Sequence, residues 1–243
     1  MTSKAVLFDL DDTLFDHHGC AHEALAAVQR SHELLRAEPF ERLERIHSGF
    51  LEELHADVML GRVPIEVARV ERFRRLLATV GAPEDDDAAA VAALYRDTYR
   101  TVRRAIAGAA ALLEALAARA RIAVVSNNLL EEQRDKLRTC ALEQFVEALI
   151  VSEEAGVSKP DPAIFQIALD RLGVSPAEAV MVGDSWTADI VGARAAGIRA
   201  IWFNPSGASA PAGQVPDPEA IDELRGLQPT DAAVRMILDP HRH

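Results

Sequence analysis

Residues Ala5, Val6, Leu7 and Phe8 form an unbroken apolar run that leads directly into Asp9-Leu10-Asp11-Asp12-Thr13. A short run without polar alternation suits a strand buried on both faces, the central strand of a parallel sheet, with Asp9 at its tip. Comparable runs recur at Ile122 to Val125, Ala148 to Val151, Ala179 to Val182 and Ile198 to Phe203, with helical patterns between them. Strands alternating with helices predict an α/β fold built on a Rossmann-like parallel sheet.

The helix boundaries in the second half are well marked. Asp161 before Pro162 reads as an N-cap with proline in the first turn. Ile164, Phe165, Ala168, Leu169 and Leu172 then mark one buried face, and Gly173 ends it. Ser175-Pro176-Ala177-Glu178 carries a capping-box pattern, and Asp189 to Ala196 reads as a further helix closed by Gly197. Between the first two strands, by contrast, the pattern is helical throughout, roughly from His18 to Arg104. Leu43, Ile46, Phe50, Leu51, Leu54 and Val58 keep helical spacing, as do Ile65, Phe73, Leu76, Leu77 and Val80. A crossover needs only about a dozen residues, so this stretch is expected to be an inserted helical cap domain. The division is residues 1–16 and 105–243 for the catalytic core and 17–104 for the cap, with hinges near Phe15–Gly19 and Ala105–Gly108. Glu84 to Asp87 reads as the acidic first turn of a cap helix, and Asn204 to Pro218 as a surface loop.

With 26 Lys and Arg against 38 Asp and Glu, the 243-residue chain carries a formal charge of −12. A field of that sign argues against binding a nucleic acid polymer or an anionic membrane. It does not exclude one small phosphate, because local donors and a bound cation outweigh distant charges. Cys20 and Cys140 lie far apart with no CxxC spacing, which argues against a disulfide framework or a structural zinc site and for a reducing, cytoplasmic setting. Ile106 to Val125, the most apolar later stretch, is broken by Glu114, Arg119 and Arg121, so no membrane span is expected. A monomer or homodimer fits equally well.

Four segments sit just after expected strands or in loops leading to helices: Asp9 to Thr13, Ser126-Asn127, Lys159-Pro160 and Gly183-Asp184-Ser185-Trp186-Thr187-Ala188-Asp189. In an open parallel sheet, ligands bind outside the carboxyl ends of the strands, where all four would converge. Taken singly, each has an ordinary reading. Asp9 or Asp11 would cap a turn, Ser126-Asn127 would end a strand, Lys159 would be solvated, and Asp184 and Asp189 would serve an Asx-turn and an N-cap. Taken in order at matching strand ends, they meet the demands of phosphoryl transfer. A phosphomonoester dianion needs a cation and hydrogen-bond donors before it can approach a carboxylate. Asp9 is placed to be the nucleophile, and Asp11 to protonate the leaving oxygen and then deprotonate water. Asp184 can share a hard cation with Asp9, for which Mg²⁺ is suited. Thr13, Ser126 and Asn127 offer donors to phosphate oxygens, and Lys159 a positive charge.

In order and spacing these segments resemble the motifs of the haloacid dehalogenase (HAD) superfamily, over residues 4–16 and 105–203. The resemblance implies Asp9 as nucleophile and Asp11 as general acid/base. It implies Mg²⁺ held by the Asp9 carboxylate, the Asp11 backbone carbonyl and Asp184. Ser126 and Lys159 would bind phosphate, with Asp189 supporting Lys159 or the metal's water shell. The helical insertion looks like the cap of the family's type I branch. Ser152 to Pro160 is similar to a stretch in pyrimidine 5′-nucleotidases and N-acylneuraminate-9-phosphatases of that branch.

The expected activity is therefore Mg²⁺-dependent hydrolysis of a small phosphorylated metabolite, a nucleoside monophosphate or sugar phosphate, through an aspartyl-phosphate. Family dehalogenases lack the second carboxylate of the first motif, so Asp11 favours phosphate over halide. A phosphomutase shares the core residues, and a non-catalytic phosphate-binding protein is the reading from another class. A mere binder, however, has no need of a general acid. Substrate choice is expected to involve His17, His18, Cys20 and Asn128.

Overall fold

The structure, a computed structural model, describes residues 3–83, 87–214 and 221–239. These fall into two compact units, one formed by the chain up to Asp16 and from Arg104 onward, the other by His17–Arg103.

The first unit is built on β1 (Ala5–Phe8), whose four side chains are completely buried. The chain leaves this unit after Asp16 and returns at Arg104, and these residues are adjacent: the Asp16 N–H donates to the Arg104 carbonyl at 3.1 Å, and Phe15 bridges to Ala105.

The second unit is helical: α1 (His17–Ser31), α2 (Glu33–Arg36), α3 (Phe40–Met59), α4 (Ile65–Ala78) and α5 (Ala88–Thr101). Asp87 caps α5 by accepting from the Ala90 N–H at 2.9 Å, while Glu84–Asp86 of the expected acidic turn lie outside the described residues. On α3 the buried face differs in detail from the apolar spacing. Leu43, His47 and Leu54 are buried, whereas Ile46, Phe50 and Leu51 are half-buried. The His47 ring takes the inner position because it packs on Phe73 and Tyr95, with centroids 5.4 and 5.0 Å away.

After α6 (Ala109–Ala117), the first unit continues through β2 (Arg121–Ser126), α7 (Leu130–Thr139), β3 (Ala148–Val151) and α8 (Ser152–Ala155). It is completed by α9 (Pro162–Leu172), β4 (Ala179–Gly183), α10 (Gly192–Ala195), β5 (Arg199–Phe203), β6 (Asp222–Leu224) and α11 (Thr230–Leu238). The six strands form one parallel sheet in the order β3-β2-β1-β4-β5-β6. Ile164, Phe165, Ala168, Leu169 and Leu172 of α9 pack on one sheet face, in a cluster that includes Leu7, Val125, Met181 and Ile190. Asp161 caps α9 and Gly173 closes it in the left-handed conformation, while Ser175 and Glu178 complete the capping box.

Two elements depart from the periodicity. β6, Asp222-Glu223-Leu224, is an edge strand too short and polar to give an apolar run. The expected helix from Asp189 instead begins at Trp186 as a π-helical turn (Trp186–Val191) that tightens into α10. The wider turn places Asp189 inside, completely buried. Residues 215–218 of the expected surface loop lie outside the described residues.

Register places the site. Phe8 is level with Val124 of β2 and Val182 of β4, and the Asp9 N–H still donates to the Val182 carbonyl at 2.9 Å. The residues at or just past the tips of the three central strands are therefore Asp9, Ser126-Asn127 and Asp184.

Candidate active site

At the tip of β1 the backbone turns sharply. Asp12 takes a left-handed conformation (φ 60°) and its N–H donates to the Phe15 carbonyl at 2.7 Å. A non-glycine residue at positive φ stores strain, which persists only where surrounding structure enforces it. Here the turn sends the Asp9 and Asp11 side chains to different partners.

Asp9 joins a buried cluster. Among the described residues, Asp9, Asp184 and Asp189 each bring a carboxylate oxygen within 4.8 Å of the others. The Lys159 ammonium, 2% exposed, lies 2.5 Å from Asp9 Oδ1 and 2.6 Å from Asp189 Oδ1. Asp189 is further tied by the Ser185 N–H, 2.9 Å from Oδ2. This close approach demands Gly183, since a Cβ there would sit 2.3 Å from Asp189 Oδ2. Asn127 grips the Lys159 backbone in both directions, donating from Nδ2 to its carbonyl and accepting its N–H, each at 2.8 Å. Thr13 does the same for Asp184: its hydroxyl donates to Oδ1 at 3.2 Å and accepts the Asp184 N–H at 3.1 Å. Trp202 Nε1 donates to the Asp184 carbonyl at 2.8 Å.

The charges in this cluster do not balance, since one ammonium faces three carboxylates. Burial pushes the Asp9 carboxyl well above the usual range; Lys159 draws it down in part, while Asp189 and Asp184 add to the rise. Asp184 is pushed up to about 7, by burial first and then by Asp189 and Asp12. Burial also opposes the Lys159 charge, but Asp189 and Asp9 outweigh it and hold the ammonium above its ordinary value. The two directions are compatible. Lys159 is shared between two acids and stays charged, whereas Asp9 has only part of one cation and is left short. An all-oxygen donor set with surplus negative charge fits a hard divalent cation of the Mg²⁺ kind and not a soft metal.

Asp11 faces α7. Its Oδ1 receives Lys136 Nζ at 2.6 Å, and its Oδ2 receives Gln133 Nε2 at 3.0 Å and Asn128 Nδ2 at 3.3 Å. Gln133 Nε2 also lies 2.5 Å from the Ser126 hydroxyl. Every residue singled out from the four segments is thus brought to the same end of the sheet, with Asp11 and Ser126 linked through Gln133. Asn128 belongs to the Asp11 environment. In the helical unit, His17 Nδ1 pairs with the Tyr99 hydroxyl at 2.8 Å, and the Cys20 thiol donates to the Val102 carbonyl at 3.3 Å. Sequence reasoning missed Gln133 and Lys136. Only the structure shows them at inward positions beside Leu137 on α7.

Comparisons with known proteins show the family. The family described as haloacid dehalogenase-like hydrolase matches residues 3–197. A ribulose-1,5-bisphosphate 5-phosphatase of Halopiger xanaduensis is 34% identical over 84% of this chain and 86% of its own. The N-acylneuraminate-9-phosphatase of Rattus norvegicus is 26% identical, covering 84% of each chain. Among solved structures, the HAD-hydrolase YfnB of Bacillus subtilis, bound to magnesium, superimposes with a TM-score of 0.75 at 25% identity, covering 97% of this chain and all of that one. A 2-haloacid dehalogenase of Pseudomonas syringae gives 0.62 at 30% identity, covering 96% and 99%. Family model, sheet order and the carboxylate–lysine cluster at the strand tips lead to one conclusion: this chain belongs to the haloacid dehalogenase-like hydrolase family.

Proposed function

We propose that the protein is a Mg²⁺-dependent phosphatase acting on a small phosphomonoester through a phosphorylated Asp9. The observation that carries this reading is the division of labour at the tip of β1. Asp9 sits in the cation-hungry cluster, while Asp11 is held apart in a separate set of donors. A halide leaves without a proton, so dehalogenation has no use for that second carboxylate. An alkoxide leaving from phosphorus does need one. The ribulose-1,5-bisphosphate 5-phosphatase and N-acylneuraminate-9-phosphatase relatives are named for small phosphorylated metabolites, which supports the same broad class here.

In this reading an Asp9 oxygen bonds to phosphorus as the ester P–O bond breaks, and Asp11 gives its proton to the leaving oxygen. Water then attacks phosphorus, Asp11 takes a proton from it, and the Asp9–phosphorus bond breaks to release phosphate. Lys159 steadies Asp9 and the transferred group, and Ser126 donates to a phosphate oxygen. Asn127 serves by holding the Lys159 backbone, and Thr13 by holding Asp184. Asp9 and Asp184, with the Asp11 carbonyl, would hold Mg²⁺, which when bound neutralises charge on the phosphoryl oxygens. Asp189, already committed to Lys159, supports the cluster. The helical unit 17–103 takes the part of a substrate-selecting cap, and a cytoplasmic metabolite is the expected partner.

Phosphate release from a panel of nucleoside monophosphates and sugar phosphates, with and without Mg²⁺, tests the reading. Asp9→Asn is expected to abolish turnover. Asp11→Asn is expected to keep Mg²⁺ binding and slow turnover of alkyl esters by roughly 10²–10⁴-fold, the usual worth of general acid/base catalysis. Phosphate migration within a sugar phosphate, without release, would instead identify a mutase.

A further inference from the structure

The α7 helix carries two polar side chains on its inner face, where helical patterning calls for apolar ones. Gln133 is completely buried and Lys136 is 2% exposed. They lie one turn apart on the same face, and both reach Asp11. The Lys136 ammonium rests over the Phe15 ring, 5.2 Å from its centroid, so a carboxylate and an aromatic face fix it from two sides.

The Gln133 contacts also define direction. An ionised carboxylate accepts only, so in that form of Asp11 the Gln133 atom facing Oδ2 is the amide nitrogen. That nitrogen has two hydrogens. One serves Asp11 and the second points at the Ser126 oxygen, 2.5 Å away. Ser126 is thereby an acceptor on that side, and its own hydroxyl hydrogen is left to point elsewhere.

We propose that Lys136 and Gln133 are positioning residues for the phosphoryl chemistry, an inference that rests on the phosphatase reading above. Lys136 holds the Asp11 carboxylate in one place for both proton transfers. Gln133 fixes the same carboxylate and turns the Ser126 hydroxyl into a donor for a phosphate oxygen. Asn128 Nδ2 adds a third donor to the same carboxylate at 3.3 Å, so Asp11 is held from α7 and from the loop that precedes it.

The test compares kcat/KM for an alkyl phosphate with that for p-nitrophenyl phosphate, whose leaving group departs without a proton. Lys136→Met is expected to lower the alkyl value by about 10²-fold and the aryl value by less than about 10-fold, within the range of general acid catalysis. In an Asp11→Asn background Lys136→Met is expected to add nothing, because both changes remove one function. Equal losses on the two esters, or losses that add, would overturn the proposal and mark Lys136 as structural or as a direct substrate contact. Gln133→Met is expected to weaken inhibition by inorganic phosphate several-fold, and unchanged inhibition would remove Gln133 from the proposal. Should Lys136→Met fail to fold, Lys136→Gln takes its place. A crystal structure of the variant gives a readout free of activity: Asp11 is expected to leave its present position. An Asp11 that stays put overturns the positioning role even if the wild type proves to release no phosphate, a result that would count against the phosphatase reading separately.

Discussion

Asp184 shows how a single residue can report the state of the whole site. Its carboxyl is pushed up to about 7 by burial and by the Asp189 and Asp12 charges. The folded protein without metal therefore keeps a proton that the unfolded chain has already lost between about pH 4 and pH 7. Linkage makes Asp184 by itself lower metal-free stability as pH rises through that window, since the native state keeps its proton there; His47, held well below its ordinary value by burial, pulls the other way below about pH 6.5. We expect thermal melts in chelator to show a melting temperature that falls, relative to that of Asp184→Asn, from pH 5 to pH 7.5. Added Mg²⁺ should restore most at the upper end, where protons no longer compete for the oxygens. A difference that stays flat over the same range in chelator would show that Asp184 is already ionised and its charge balanced. The same residue explains Thr13, whose hydroxyl is committed in both directions to Asp184 and so acts through it.

At the scale of elements, the junction of β4 with the π-helical turn 186–191 is the most tightly constrained part of the site. Gly183→Ala would place a methyl carbon 2.3 Å from Asp189 Oδ2, an atom held by the Ser185 N–H. Asp189 must move, and Lys159 then loses one of its two anchors. The substitution is expected to destabilise by about 1–3 kcal/mol, in line with disrupting a buried hydrogen-bonded charge, and to lower turnover with it. Urea unfolding together with phosphate release would measure both, and a silent Gly183→Ala would mean that the turn yields at little cost. Elements of this kind also mark where sequence stops being readable. The five apolar strands, the Asp161 cap and the helical insertion were legible because burial on both faces, capping chemistry and 3.6-residue spacing each leave a local signature. β6 left none, because an edge strand needs no apolar run. The start at Trp186 was hidden because π-turn geometry follows from tertiary demands on Asp189 and not from local propensity. The carboxylates and Lys159 of the candidate site were legible from motif order. Gln133 and Lys136 were not, because on an isolated helix a glutamine and a lysine read as solvent-facing.

For the molecule as a whole, the insertion has a simple geometry: the chain departs at Asp16 and returns at Arg104, residues joined by a backbone hydrogen bond in the α/β unit. The α/β unit buries its own core and does not rely on residues 17–103 for any strand. Replacing those residues with a short glycine-rich linker is therefore expected to leave a cooperatively melting protein with the sheet intact. If the helical unit selects substrate, the shortened protein should hydrolyse p-nitrophenyl phosphate while losing discrimination across the panel. Failure to fold would show instead that the helices complete the core. Sequence separation adds a constraint of another kind. Thr13 meets Asp184 across 171 positions and Asp9 meets Lys159 across 150. During synthesis Asp9 emerges about 150 residues ahead of Lys159 and further ahead of Asp184. If Asp9 acts as proposed, a nascent chain stays chemically silent until β4 docks beside β1, and recovery of activity on refolding would serve as a clock for that long-range pairing.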